Sequence, residues 1–152
     1  MEDIIEQGIL DKLQQGSYPA TFEKLKFYGQ SDIQNIYNQA EAKLGSVGSA
    51  VLVRVDSESR LPGTAGTKFM QVSYTISVVL AARSDKMKRN SNEPRLVYDL
   101  KKAVLQDVCG KTETLNNVVR GIEYTDGSNI SIDDRIDLYL MNLRTKANYT
   151  LE

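Results

Sequence analysis

The chain has 152 residues, 41% of them hydrophobic and 26% charged, the balance of an ordinary globular domain long enough to bury a core without metal or disulfide. Histidine is absent and cysteine occurs once, at Cys109. That excludes Ser-His-Asp and Cys-His nucleophiles, the two-histidine zinc helix, an internal disulfide, and a zinc site built from the usual ligands. Nineteen basic against twenty acidic side chains, a net charge of -1, leave no overall nucleic-acid signature.

Charge is uneven along the chain. Residues 1–48 carry four basic and seven acidic side chains, residues 49–95 eight and four, and residues 96–152 seven and nine. Much of the positive excess lies in Arg83-Ser84-Asp85-Lys86-Met87-Lys88-Arg89-Asn90, followed by Arg95. Such a run reads either as a basic rim for an acidic partner or nucleic acid, or as a solvated loop. The start, Met1-Glu2-Asp3-Ile4-Ile5, has neither the basic nor the apolar region of a secretory signal and reads as a cytosolic start. The longest markedly apolar stretch, Val78 to Ala82, falls far short of the ~20 residues of a membrane span, so no membrane segment is expected.

In chain order, Ile5, Ile9 and Leu13, with Ile4 and Leu10 beside them, predict a short amphipathic helix ended by Gly16. Phe22, Leu25, Phe27 and Tyr28 form an irregular apolar patch, a loop or short strand. From Ser31 to Leu44 a second helix is expected, with Ile33, Ile36, Tyr37, Ala40 and Leu44 on one stripe. Ser31 and Gln34 stand at capping-box spacing, and Gly45 stands where a left-handed cap belongs. Tyr37 reads as core.

Ser49 to Asp56 is β-branched and alternating, with Val51, Val53 and Val55 on one face and Leu52 and Arg54 on the other, which predicts a strand. Leu61 to Gly66 supplies turn chemistry. From Phe69 to Ala82 the even positions are apolar and Gln71, Ser73, Thr75 and Ser77 are polar, a strand far longer than the usual five or six residues. It either bends within a sheet or projects its first half as an arm. Asn92-Glu93-Pro94 reads as a helix entry, and Val97, Leu100, Val104 and Val108 continue that helix as a stripe up to Gly110. Cys109 reads as a small packing residue, and Lys101 as a stem laid on the apolar face with its amine in water.

In the last third, Val118 to Tyr124 is a strand candidate, Asp126-Gly127 a turn, and Arg135 to Tyr149 a strand. Its apolar phase switches after Leu140, implying a bulge or burial on both faces. Asp133 and Asp134 are adjacent carboxylates with no apolar wall to raise one of them, so they do not read as an acid–base pair. No dinucleotide fingerprint or phosphate-binding loop is present, and no catalytic constellation is visible. The expectation is an α+β fold: two or three helices packed on one face of a mostly antiparallel sheet of four or five strands, with a long strand or hairpin arm, in a single domain over residues 1–152.

The order of segments resembles a known family. A short N-terminal amphipathic helix comes first, then the strand Ala50-Val51-Leu52-Val53-Arg54-Val55. The long strand Val72 to Arg83 follows, and then Tyr98-Asp99-Leu100-Lys101-Lys102-Ala103-Val104-Leu105 leading to Gly110. Together they look like a small tail-morphogenesis family of Mu-like prophages that is similar to the tail terminators of tailed phages. The resemblance covers residues 1–148 and departs from the family pattern around Gly63 to Lys68.

The resemblance implies a structural protein and no enzyme. It implies a hexameric ring that caps the head-proximal end of the tail tube and joins it to the neck, in a virion assembled in the host cytoplasm. Partners would be further copies of the chain, tail tube proteins, sheath proteins as a further candidate, and neck or head-completion proteins. No cofactor, metal or membrane enters, and no sequence-specific nucleic acid, although the basic loop is free to meet DNA passing through the lumen. Phe69, Gln71 and Ser73 of the long strand, with Arg83, Lys86, Lys88 and Arg89, are the expected subunit or partner contacts. A head–tail connector or tube component is the alternative, and a ligand-binding domain outside phages, or an enzyme using a Ser-Lys or carboxylate mechanism, a third.

Overall fold

Ala50-Val51-Leu52-Val53 is apolar at every position, and all four side chains are buried. Val78 to Ala82 and Leu138 to Met141 behave in the same way. A strand buried at consecutive positions is covered on both faces. The computed structural model describes residues 2–16, 18, 20–26, 33–45, 47–60, 69–83, 96–109, 121–130 and 135–150. Among these residues there are three helices, α1 (Glu2–Gln15), α2 (Ile33–Leu44) and α3 (Leu96–Asp107). The strands are β1 (Thr21–Lys24), β2 (Ser49–Arg60), β3 (Phe69–Arg83), β4 (Ile122–Ile130) and β5 (Ile136–Thr150).

They form one sheet in the order β1-β2-β3-β5-β4. β1 runs parallel to β2, and every other neighbouring pair is antiparallel. A parallel pair needs a crossover rather than a hairpin, and α2, between β1 and β2 in the chain, supplies it. The α+β class and the mostly antiparallel five-stranded sheet agree with the sequence expectation.

The helices divide between the faces. Ile5, Ile9 and Leu13 of α1 and Val97, Leu100 and Val104 of α3 pack with Val51, Val53, Ile76, Val78, Leu80, Met141 and Leu143. On the other side Ile36, Tyr37, Ala40 and Leu44 of α2 pack with Ala50, Leu52, Val79, Ala81, Leu138 and Leu140. Ile5, Ile9 and Leu13 are at most 1% exposed, and burying such a side chain contributes roughly 1.5–3 kcal/mol. The expected single covered face is thus corrected at α2: the doubly apolar stretches of β2, β3 and β5 need a second cover. The same fact explains the phase switch in β5, whose register with β3 runs unbroken from Ile136 opposite Arg83 to Thr150 opposite Phe69. Burial on both faces, not a bulge in that pairing, is its cause.

Local signals account for several ends and one surprise. Gly45 adopts a φ of 52°, the left-handed value that lets the chain leave α2, and Gly48 N–H donates to Leu44 O at 2.9 Å. Ser31 of the expected capping box lies outside the described residues, as do Phe27, Tyr28, the Asn92-Glu93-Pro94 entry, Gly110, Val118 to Arg120, and the Asp133-Asp134 pair. Phe22 falls within β1. Asp126-Gly127 is not a turn. β4 runs straight through it, and the pairing with β5 slips by one residue between Tyr124 and Asp126. Thr125 is the extra residue, and its hydroxyl donates to Asn142 O at 2.8 Å.

Lys101 Nζ donates to Tyr139 Oη at 2.9 Å and lies 4.6 Å from the centre of the Tyr139 ring and 5.4 Å from that of Tyr124. The stem follows the apolar face as expected, and the amine rests against two phenols at the surface. Cys109 is half-buried, and burial pushes its thiol up to about 11, which suits packing and opposes nucleophilic use.

Candidate assembly surface

Cover from α2 ends at a line of polar residues. Arg54, Ser77, Asn142 and Asp126 are register partners in one row across β2, β3, β5 and β4. Asn142 Nδ2 donates to Asp126 Oδ1 at 2.6 Å, and Arg54 Nη1 donates to Lys26 O at 2.6 Å. The Ser77 hydroxyl donates to Asp56 Oδ2, while Asp56 Oδ1 is buried with no partner among the described residues. Burial pushes the Asp56 carboxyl above the ordinary range, against the opposing pull of the Ser77 bond and the Arg54 charge.

Beyond this row the sheet continues through Ser57–Arg60, Phe69–Thr75 and Arg144–Thr150, and its two faces differ. On the side of α1 and α3, Val72, Tyr74 and Ala147 remain at most 2% exposed. On the other side Ser57, Ser59, Thr75, Arg144 and Lys146 are exposed, and Gln71 and Ser73 are half-buried. Eight residues separate Ser77 from Phe69, so this polar face is roughly 26 Å long. Hydroxyl-rich and covered by no helix among the described residues, it suits contact with another protein surface. Among the described residues no group of three or more acidic or cysteine side chains is placed to hold a metal. Among the described residues no helix is long and apolar enough to cross a membrane.

The expected contact residues separate into two places. Gln71 and Ser73 lie on the polar face, opposite Asn148 and Lys146, and the Phe69 backbone pairs with Thr150 beyond them. The first half of β3 is therefore no free arm, because β5 pairs with it from Phe69 and β2 from Val72. Arg83 is exposed at the far end of the same strand, where its Nη2 donates to Gly45 O at 2.7 Å and its N–H to Gly48 O at 2.9 Å. Twelve residues of strand, roughly 40 Å, separate it from Gln71, with α2 between them. Lys86, Lys88 and Arg89 lie outside the described residues. Sequence reasoning missed Arg144 and Lys146. Their signal was present in the alternation Leu143, Thr145, Ala147 against Arg144, Lys146, but the charged face needs β3 beside it to become a surface.

No known family matches the chain in sequence, and no curated protein matches it either. Among solved structures, the fold is similar to that of a chain from the virion of a native gene transfer agent particle. That similarity has a TM-score of 0.59 over 95% of this chain and 94% of that one, at 9% sequence identity. At that identity the likeness establishes a shared fold across nearly the full length of both chains.

Proposed function

We propose that the chain is a structural component of a virion, and within it the ring that caps the head-proximal end of the tail tube and joins it to the neck. The observation that carries the reading is the correspondence of fold, end to end, with a chain of a virion particle. The order of the α1, β2, β3 and α3 segments, which resembles tail terminators, supports this position within the particle. The long polar sheet face supports an assembly role over a catalytic one, since it presents area and no enclosed chemistry. On this reading residues 1–152 form a single tail-terminator-like domain, and the ring is a hexamer. Its neighbours are the tube, sheath proteins where present, and neck or head-completion proteins. Phe69, Gln71 and Ser73 serve one contact; Arg83 with Lys86, Lys88 and Arg89 serves a second, at the other end of β3.

A tube component or head–tail connector is the competing position in the same particle. Polymerisation separates them. Tail tube protein is allowed to assemble with and without the purified chain, and tube lengths are measured by electron microscopy. A terminator arrests growth and narrows the length distribution at substoichiometric ratios. A tube component enters along the whole tube and lengthens it, and a chain that leaves tube length and number unchanged does not act at the tube end.

A further inference from the structure

Opposite sides of the sheet carry patches of opposite charge. On the polar face Arg144 and Lys146 stand exposed among Ser57, Ser59, Ser73 and Thr75, with Glu123 the cross-strand partner of Arg144 at the β4 edge. On the other side of the sheet lies α1, whose outer ridge is formed by the residues turned away from Ile5, Ile9 and Leu13. That ridge is Ile4, Gln7 and Asp11, with Asp3 at its edge: two acids, an isoleucine that is 52% exposed, and no base. Lys24 faces Asp3 at 3.6 Å and Glu6 at 4.0 Å, one cation to two carboxylates, so the neighbourhood stays negative. Lys12 lies around the flank, about 100° from Asp11.

We propose that the α1 ridge of one copy docks on the Arg144–Lys146 face of the next. This deepens the ring reading and rests on it. The two patches lie on opposite sides of one rigid sheet, so two copies cannot satisfy both contacts with each other, as a two-fold dimer requires. The contact is heterologous, head to tail, and closes as a ring when the rotation per copy divides the circle. The charges fix register and exclude wrong approaches, while Ile4 supplies apolar area at the ridge.

The test uses two charge-reversed chains, Gln7→Lys with Asp11→Lys and Arg144→Glu with Lys146→Glu. All four positions are exposed, so both chains keep the circular dichroism and melting profile of the unaltered one. Assembly is followed by sedimentation at rising concentration, alone and with tail tubes present. Each variant alone needs about tenfold more protein to reach half-assembly, because its two patches now repel. An equimolar mixture recovers to within about threefold, because the reversed ridge of one chain fits the reversed face of the other and the two alternate. If the unaltered chain assembles and neither variant alters it, the contact is wrong and the ring reading stands. An unaltered chain that stops at a dimer, or stays monomeric in both arms, overturns the contact and the ring together.

Discussion

Glu6 Oε2 accepts a hydrogen bond from the backbone N–H of Val55 at 2.8 Å, tying α1 to the point where β2 loses register with β3. β1 ends at Lys24, opposite Val53, so among the described residues the outer edge of β2 beyond it has no strand to receive its donors. Leu25 N–H still reaches Val53 O at 2.8 Å, and the next open group, Val55 N–H, is taken by a buried carboxylate from the helix above. A strand edge is thus closed by a helix side chain.

Removing that acceptor leaves a buried N–H unpaired. Glu6→Ala is expected to cost about 1–3 kcal/mol in urea unfolding, while Glu6→Gln, which keeps an acceptor oxygen, costs less than half as much. Equal losses in the two variants would show that the hydrogen bond is not what Glu6 contributes.

Lys101 and Tyr139 form the second tie, between α3 and β5. Burial pushes the Tyr139 phenol up, but hydrogen bonds with Lys101 and Tyr124 and the charge of Lys101 outweigh it and hold it below the ordinary tyrosine value. Lys101 is itself raised, chiefly by its bond to Tyr139. Lys101→Met is expected to cost about 1–2 kcal/mol at neutral pH. A raised lysine stabilises the fold below its ordinary value of 10.5 and loses that contribution as pH climbs through the folded value. The stability gap between the two chains therefore closes above that pH. In an ultraviolet titration the Tyr139 ionisation moves to higher pH in the variant. A gap that is flat with pH would contradict the assignment.

Asp56 also loses stability as pH rises, but here it is the charged form that the fold disfavours. Its folded value lies above the ordinary 3.8, so protonation favours the fold, and that advantage is lost as pH rises from there through the folded value. Asp56→Asn is expected to match the unaltered chain near pH 3 and to surpass it increasingly toward pH 6, as read from urea midpoints. A difference that shrinks over this range would mean that the carboxylate form is the favoured one.

Two glycines separate conformation from space. Gly127 has no room: a Cβ there lies 2.6 Å from Tyr139 Cε1 and Oη and 2.7 Å from Tyr124 Oη. Gly127→Ala is expected to cost about 1–3 kcal/mol by overpacking and to displace the phenol that Lys101 binds. Gly45 has nothing within 4 Å but a φ of +52°, so Gly45→Ala costs about 1–2 kcal/mol and Gly45→Asn recovers part of it. Thermal melts of the three variants check both, and a neutral Gly127→Ala would show that the two rings yield freely.

Much of this fold is legible in the chain because its signals are local. Ile5, Ile9 and Leu13 mark α1 by spacing alone, and Val72, Tyr74 and Ile76 mark the buried side of β3 in the same way. What spacing does not reveal is which face of a sheet a helix meets. The stripe Ile36, Tyr37, Ala40 and Leu44 is the same whichever face receives it, and only the doubly apolar stretches of β2, β3 and β5 require a cover on each side. Asp126-Gly127 resembles a turn because its composition is that of one. The glycine is needed instead for the Tyr139 ring above it, 12 residues away in the chain. Lys101 meets its phenol across 38 residues, a contact that no helical pattern encodes. The polar face was half visible, through Gln71 and Ser73, and lacked Arg144 and Lys146 because a surface is made by register between strands.

The most direct measurement of the central claim is electron microscopy of the purified chain mixed with tail tubes, with the chain tagged for identification. A single closed ring of tagged subunits at one end of each tube is the expected image. Tagged subunits distributed along the tube, or tubes with both ends bare at saturating chain concentration, would contradict it.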